Sequence, residues 1–286
     1  VYDDGIVRVK DVEAALRDTT FLVSVMYANN EIGTLQPIKE IGRLLEGWKK
    51  ERDIPHASYP YFHTDACQAA NYCNLDVVRL RTHLMTVNSS KVYGPKGAAL
   101  LYKREGVKLI PTTYGGGQER SLRSGTENVA GMYAFGVALT EAVSIREEES
   151  LRLRDIRDKT VTMLTQAIPD IVFYGAFDEY ITLQDGVVTQ KVKTELRLPN
   201  NINCRIPRIQ SEEMILRLDA LGFSVSHKSA CASMETEGSY VVIALGANEH
   251  EALENIRISM GRNTKMEDMK ALVQAMSSLA QKYRSH

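Results

Sequence analysis

Four short segments of the chain concentrate polar residues, glycines and lysines that a hydrophobic core does not need. They are NNEIGT at 29–34, HTDACQ at 63–68, NSSKVYGPKG at 88–97, and GGGQER at 115–120 with RSGT at 123–126. The first three follow apolar runs that we interpret as strands, and ligands of parallel α/β sheets bind at the carboxyl ends of strands. We therefore expect these segments to contribute to a ligand site.

Two residues in these segments have side chains suited to an organic cofactor. Asp65, at the end of a strand, can pair with a ring nitrogen and keep it protonated, as an electron-sink cofactor requires; it could equally cap a following helix. Lys91 lies among small polar residues and glycines, where a desolvated amine can form an imine. Lysine, glycine and proline are also common in surface loops, so Lys91 alone does not decide the chemistry.

The glycine-rich segment favours an anion. Its three glycines let backbone amides approach a ligand, while Arg123 and Thr126 offer phosphate-binding donors. The GxxxxGK[ST] pattern of a nucleotide-binding loop is absent, so nucleotide binding loses support. The 29–34 segment has an equally simple interpretation as a turn with a helix cap.

The elements that must position these segments alternate in the first half of the chain. Strands are predicted at 21–27, 61–64, 84–87 and 98–102, with a helix after Pro37 that repeats Ile38, Ile41, Leu45 and Trp48 at helical spacing. This order predicts a mainly parallel sheet covered by helices. We interpret 49–60 as a surface loop without chemistry, and the residues after Asp65 as a helix.

The second half follows a weaker pattern, typical of an α+β domain. A long helical pattern at 127–167 leaves the first domain, and we place the boundary near Val143, giving domains 1–143 and 144–286. Beyond it we predict strands at 171–174, 198–206 and near Phe223, a long polar link between the first two, a helix at 212–220 and a closing helix after Met266.

Composition excludes several classes of protein. A formal net charge of −1 gives no global electrostatic reason to expect nucleic acid or an anionic membrane as partner. No apolar run approaches the ~20 residues of a membrane-spanning helix. The 4 cysteines form no CxxC pair, which favours a reducing compartment, the cytoplasm or an organelle matrix. We assign no metal site, and we expect a fragment because the chain starts at Val1 without an initiator Met.

Together, in this order and spacing, the segments resemble the NifS-like cysteine desulfurases and selenocysteine lyases. These are class V members of the fold-type I enzymes that use pyridoxal 5′-phosphate (PLP). The resemblance runs from Phe21 to the last helix and includes RLPNN at 197–201, SAC at 229–231 and IRISMGR at 256–262. It implies an α/β fold with a large PLP-binding domain and a smaller α+β domain.

The resemblance implies a cofactor role for several residues. Lys91 would hold PLP as a Schiff base and move protons on the substrate, and Asp65 would pair with the pyridinium nitrogen. Gln68 would contact the phenolic oxygen of the ring. Asn30 would contact the same region and the substrate carboxylate. Asn88 and Ser90 would bind the cofactor beside Lys91, Ser90 by a hydrogen bond to its phosphate. Thr126 would reach the phosphate of a neighbouring subunit, which implies a homodimer.

The resemblance also implies how the substrate is handled. Arg257, in an apolar strand, would clamp the carboxylate with the fork of its guanidinium. Cys231 would be the nucleophile that leaves with a persulfide, and the basic residues of SHKS at 226–229 favour its thiolate. The other cysteines, Cys67, Cys73 and Cys204, are interpreted as small buried hydrophobes.

The sequence departs from the family at two places. The family's upstream third, with a phosphate loop and a ring-stacking histidine, does not precede Val1, and Ser90 stands where the family usually has histidine before the lysine. The first hypothesis is a cysteine desulfurase that gives L-alanine and passes sulfur to an acceptor, as in iron–sulfur cluster assembly. The alternatives are a selenocysteine lyase, a non-catalytic member that binds a sulfur-transfer partner, and, ranked last, an unrelated PLP aminotransferase.

Overall fold

The computed structural model describes residues 1–182, 188–227 and 238–284, which fall into two compact units. The N-terminal unit comprises 8–27 and 37–146; the C-terminal unit comprises 1–7, 28–36 and the chain from Glu147 onward. The division falls close to the boundary placed near Val143, and the short segments 1–7 and 28–36 group with the C-terminal half. The assignment of these halves as PLP-binding and small domains stays a prediction.

The N-terminal unit is built on a four-stranded sheet. In chain order its elements are α1 (Val9–Ala15), β1 (Leu22–Ser24), α2 (Ile38–Glu51), β2 (Tyr61–Asp65), α3 (Val77–Leu80), β3 (Leu84–Asn88), β4 (Ala99–Lys103), α4 (Gln118–Ser121) and α5 (Val129–Ser144). The strand order is β1-β2-β3-β4, with β1, β2 and β3 parallel and β4 antiparallel to β3. The predicted mainly parallel α/β sheet is confirmed.

Alternation along the strands gives the sheet one buried and one partly polar face. Phe62 and Thr64 of β2 are buried, whereas His63 and Asp65 point to the opposite face and remain partly exposed. The register pairs Asp65 with Thr86 of β3. Because the strands are parallel, Asp65 and the end of β3 lie at the same edge of the sheet.

The interpretation of 49–60 as a surface loop is wrong at its start, because α2 continues to Glu51. Lys49 is the buried end of the apolar face of α2, 2% exposed, and its Nζ donates to the carbonyl oxygens of His56 and Ser58 at 2.9 and 2.8 Å. Burial, followed by the charge of Arg104, lowers the pKa of Lys49 to about 8. Lys49 holds the loop that leads into β2 in one conformation, because a buried ammonium group needs hydrogen-bond acceptors.

His83 completes this cluster just before β3. Its Nδ1 accepts from the backbone N–H of Phe62 at 3.0 Å, so Nε2 carries the proton and donates to the carbonyl of His56 at 3.0 Å. Lys49 Nζ lies 3.3 Å from the same Nε2, and its positive charge disfavours protonation of His83. Burial, followed by Lys49, lowers the pKa of His83 to about 4.

The C-terminal unit is α+β. Its elements are α6 (Arg146–Ala167), β5 (Val172–Phe173), β6 (Phe177–Thr182), β7 (Val188–Val192), β8 (Asn201–Arg205), α7 (Ser211–Ala220), α8 (Tyr240–Ile243), α9 (Glu249–Ala252), β9 (Asn255–Ser259) and α10 (Met266–Arg284). Strands β5, β8 and β9 form an antiparallel sheet, and β6 pairs with β7. Its core takes Leu164 from α6, Ile202 from β8 and Met276 from α10, each fully buried.

Several predicted elements need correction. The helical pattern at 127–167 is two helices interrupted at Ile145, whose backbone leaves the helical region. The polar link contains two strands, β6 and β7, whose backbones pair with each other. The strand near Phe223 is wrong: there Ser226 makes only an isolated bridge to Arg257. The helix after Asp65 is also wrong, because 67–72 form turns.

Lowering the pH should destabilise the fold through His83. Between about pH 6.5 and pH 4 the unfolded chain protonates this histidine while the folded chain does not, so the free energy of unfolding falls as the pH falls through that interval. In His83→Gln the fall should be smaller by on the order of 1 kcal/mol. Denaturant unfolding at pH 7 and pH 4.5 measures this, with His250→Gln on the exposed surface of α9 as control. Equal pH dependence in both variants would refute the assignment.

Candidate functional site

The residues predicted around Lys91 form a tight turn at the end of β3. A 3₁₀ turn spans Ser89–Lys91, and the side chain of Asn88 caps it by accepting from Ser90 N and Ser90 Oγ, both at 2.9 Å. The carbonyl of Lys91 accepts from Asn71 Nδ2 at 2.5 Å, while its side chain is exposed. Strand, cap and amide together fix the backbone from which Lys91 projects.

Asp65 lies at the end of the neighbouring strand β2, where both its backbone carbonyl and its side chain accept hydrogen bonds. Tyr27 N donates to the Asp65 carbonyl at 2.7 Å, and Asp65 Oδ1 accepts from Cys67 N at 2.9 Å. The alternative that Asp65 caps a helix is therefore wrong, since it closes a turn. Gln68 follows in the same turn, partly exposed, and its predicted contact stays a prediction.

Cys67 shows that Asp65 and Lys91 lie near one another. Burial, and then the Asp65 carboxylate, raises the pKa of Cys67 to about 12, and the charge of Lys91 opposes that shift. The Cys67 thiol therefore lies within electrostatic range of both Asp65 and Lys91, which follow the ends of the neighbouring parallel strands β2 and β3. Burial also raises the pKa of Cys204, which is fully buried on β8, to about 12. Neither cysteine is a thiolate at neutral pH.

A row of hydrogen-bonded side chains on the Asp65 face of the sheet was not predicted from the sequence. Ser24 Oγ lies 2.8 Å from His63 Nδ1, and His63 Nε2 lies 2.9 Å from Thr86 Oγ1, so the row crosses β1, β2 and β3. Burial lowers the pKa of His63. The signal was available, because His63 is two residues from Asp65 and strand residues two apart share a face.

Arg257 lies in the C-terminal unit on β9. Its Nη1 donates to the carbonyl of Asn30 at 3.1 Å and its Nη2 to Ser226 Oγ at 2.8 Å. Burial lowers the pKa of Arg257, and the charge of Glu31 opposes that shift. The predicted carboxylate clamp is thus a half-buried cation whose plane is set by two fixed acceptors.

Segment 29–34 is a turn, as its simpler interpretation predicted. Asn29 Oδ1 accepts from Glu31 N and Ile32 N at 2.8 and 3.0 Å, and Gly33 adopts the left-handed region at φ +73°. A Cβ on Gly33 would lie 2.7 Å from Asn201 Oδ1, so the close approach requires glycine. The turn also brings the Asn30 carbonyl to Arg257; a role for the Asn30 side chain stays a prediction.

The last two predicted residues are Cys231 and Thr126. Cys231 lies outside the described residues. Thr126 lies exposed before α5, at the end of a loop closed by Ser124 Oγ donating to the Gly116 carbonyl at 2.9 Å. Its contact with a second subunit stays a prediction.

In the described ranges, no cluster of histidine, cysteine and acidic residues could hold a metal ion, and no helix is long and apolar enough to cross a membrane.

The fold and these residue positions define a class of protein. The family model described as aminotransferase class-V matches residues 1–272, and the chain belongs to that family. Within it, the chain is 36% identical over 284 residues to "Cysteine desulfurase IscS" of Clostridium botulinum, covering 99% of this chain and 65% of that protein. It is 38% identical over 282 residues to "Cysteine desulfurase IscS" of Methanosarcina thermophila, covering 98% and 63%.

Solved structures agree. A "NIFS-LIKE PROTEIN" superposes with a TM-score of 0.81 at 27% identity, covering 98% of this chain and 67% of that chain. The NifS-like protein from Rickettsia africae gives a TM-score of 0.79 at 26% identity, covering 98% and 68%. The resemblance to NifS-like proteins and the fold-type I assignment are confirmed. The chain spans 65% of the length of the C. botulinum relative.

Removing the cap of the Lys91 turn should weaken cofactor binding. Asn88→Ala deletes both hydrogen bonds to Ser90, which frees the turn, and PLP should bind about tenfold more weakly. Titration of the full-length protein with PLP, followed by absorbance, measures the change. Asn74→Ala is the matched control, since Asn74 Oδ1 caps another exposed turn by accepting from Asp76 N at 2.7 Å. Equal affinity in the two variants would contradict this role.

Proposed function

We propose that the protein is a PLP-dependent cysteine desulfurase that converts L-cysteine to L-alanine and leaves a persulfide on Cys231 for an acceptor protein. The observation that carries the proposal is the placement of Asp65 and Lys91 at the carboxyl ends of the paired parallel strands β2 and β3, in a chain of the aminotransferase class-V family. The names of the IscS relatives support the choice of cysteine as substrate.

The residues present fit PLP. Asp65 remains partly exposed beyond its turn and offers a carboxylate to a ring N–H, and Lys91 offers an exposed primary amine to the cofactor carbonyl. Asn88, Ser90 and Gln68 add polar groups beside them, and Thr126 of a second subunit would complete the phosphate site of a homodimer. When bound, PLP supplies an electron sink for the substrate α-carbon.

The protein's own residues then supply positioning and proton transfer. Arg257 binds the substrate carboxylate, with its plane fixed by the Asn30 carbonyl and Ser226 Oγ. Lys91 Nζ removes the proton from the α-carbon and returns protons to the substrate carbons. Asp65 would offer its carboxylate to the ring nitrogen. His63, with its lowered pKa, stays neutral, so it does not compete for that carboxylate.

Cys231 completes the reaction as a thiolate. Its sulfur forms a bond to the substrate sulfur while the C–S bond of the substrate breaks, and the electron pair of that bond remains with carbon. That carbon is protonated and becomes the methyl group of alanine, and Cys231 retains the persulfide. The high pKa values of Cys67 and Cys204 favour Cys231 over both. A reducing compartment, such as the cytoplasm, keeps such a thiol available.

Ser90 favours a second candidate, a non-catalytic member that binds a sulfur-transfer partner. Its hydroxyl donates to Asn88 Oδ1, so this position supports the turn and supplies no imidazole for acid–base work. A selenocysteine lyase would use the same residues. Comparing alanine formation from cysteine and from selenocysteine separates these three functions.

Substitution of the two reacting residues tests the proposal in full-length protein. Lys91→Ala should lose the visible absorbance of bound PLP and all alanine formation, because the amine proposed to form the Schiff base is gone. Cys231→Ser should keep the absorbance and lose the persulfide, measured by mass spectrometry. Lys96→Ala, exposed in the same loop, and Cys73→Ser are the controls. Wild-type protein that stays colourless with PLP would eliminate the enzyme, and an active Cys231→Ser would indicate an aminotransferase.

A further inference from the structure

Asn71 lies in the turns that follow Asp65, beyond the last residue of the HTDACQ segment. Its Nδ2 donates to the carbonyl oxygen of Lys91 at 2.5 Å, across 20 residues of sequence. The last carbonyl groups of a helical turn have no partner within that turn, and Lys91 is the last residue of its 3₁₀ turn. The amide of Asn71 therefore supplies a partner that the turn itself lacks.

The backbone that carries Asn71 is held by contacts that do not involve its side chain. Ala69 and Ala70, the two residues before it, are both 0% exposed. The Ala69 carbonyl accepts from Tyr72 N at 2.9 Å, and the Ala70 carbonyl accepts from Arg146 Nη2 at 3.0 Å. A substitution of the Asn71 side chain leaves these contacts in place, so it removes one hydrogen bond and keeps the turn.

Two hydrogen bonds join the chain after β2 to the chain of β3 and the turn that follows it. At the first, Ala66 N donates to the Thr86 carbonyl at 2.9 Å, which continues the pairing of the two strands. At the second, the side chain of Asn71 donates to the carbonyl of Lys91. The second bond lies beyond the strand ends and depends on a side chain, so it ties the position of Lys91 to that of Asp65.

We infer that Asn71 is a positioning residue that fixes the backbone of Lys91 relative to Asp65. Its meaning for catalysis rests on the proposed function, in which Asp65 and Lys91 bind groups on opposite sides of one rigid ring. Their separation must then match that ring, and a separation fixed in advance lowers the entropic cost of binding. The hydrogen bonds of Arg257 do not involve Asn71, so affinity for the substrate carboxylate should not depend on it.

Asn71→Leu removes the donor and keeps the branched shape of the side chain. Titration of the full-length protein with PLP, followed by absorbance, should show about fivefold weaker binding, the factor that one hydrogen bond provides. The kcat for alanine formation should fall while the KM for cysteine stays unchanged. Asn71→Gln retains an amide donor and should bind PLP more tightly than Asn71→Leu. Asn74→Ala, which removes the cap of another exposed turn, is the matched control and should behave as wild type.

Hydrogen exchange of the PLP-free protein tests the same contact without turnover. Val92 N and Gly94 N both donate to the Ser89 carbonyl at 3.0 Å, within and just after the turn that Asn71 holds. Their amides should exchange about fivefold faster in Asn71→Leu than in wild type. The amides of β2 should keep their wild-type rates, because the pairing of the strands does not use Asn71.

The inference is overturned if Asn71→Leu binds PLP with wild-type affinity, if its loss of activity lies in KM, or if Asn71→Gln binds PLP no better than Asn71→Leu. Faster exchange of the β2 amides to the same extent would also overturn it, since the whole unit would then be destabilised. If Asn71→Leu fails to fold, Asn71→Ala decides by the same criteria. Wild-type protein that binds no PLP contradicts the proposed function instead, and the exchange of Val92 and Gly94 then decides whether Asn71 holds the turn.

Discussion

Buried cations that donate to backbone carbonyl oxygens are the interaction on which both units depend. Taking such a charge out of water is expensive unless fixed acceptors surround it, so each cation holds an irregular segment in one place. In the N-terminal unit, Lys49 binds the carbonyls of His56 and Ser58. In the C-terminal unit, the buried Arg157 donates to the Leu198 carbonyl and the buried Arg197 to the Tyr174 carbonyl, and the half-buried Arg257 donates to the Asn30 carbonyl.

This constraint explains why segment 28–36 belongs to the C-terminal unit. Thr34 bridges to Arg197, and Leu198 N donates to the Gly33 carbonyl at 2.8 Å. Arg197 is 1% exposed, and burial with the nearby charge of Arg157 lowers its pKa to about 9, so its acceptors are essential. The arginine of the RLPNN motif therefore serves structure, donating to the Tyr174 carbonyl and to Asn201 Oδ1.

In the N-terminal unit, the positions of the candidate site residues depend on the register of the strands. Parallel pairing of β2 with β3 places the ends of the two strands together, and the turns that follow project Asp65 and Lys91 from that edge. The side chain of Asn88 caps the turn that carries Lys91, and the hydrogen-bonded row through His63 joins the three parallel strands on the face of Asp65. Pre-organised groups of this kind hold a cofactor without a large entropic penalty.

Much of this was predictable from local pattern. The strand at 61–64, the buried face of α2 and the strand around Arg257 follow from hydrophobic periodicity, which depends only on near neighbours. The β6–β7 hairpin and the turns at 67–72 were not predictable in this way. Polar hairpins look like loops, and small residues after Asp65 fit a helix as well as a turn until the tertiary fold chooses.

The sequence by itself determined the α/β class, the family and the residue types that could carry the chemistry, because those reside in ordered motifs and in periodicity. Only the tertiary structure decided that the strands ending at Asp65 and just before Lys91 are neighbours, that Lys49 is buried, and that Glu31 accepts a hydrogen bond from Ser239, 208 residues away in the chain. Such contacts depend on burial and on the partners that desolvated charges require, and neither quantity is written in local sequence.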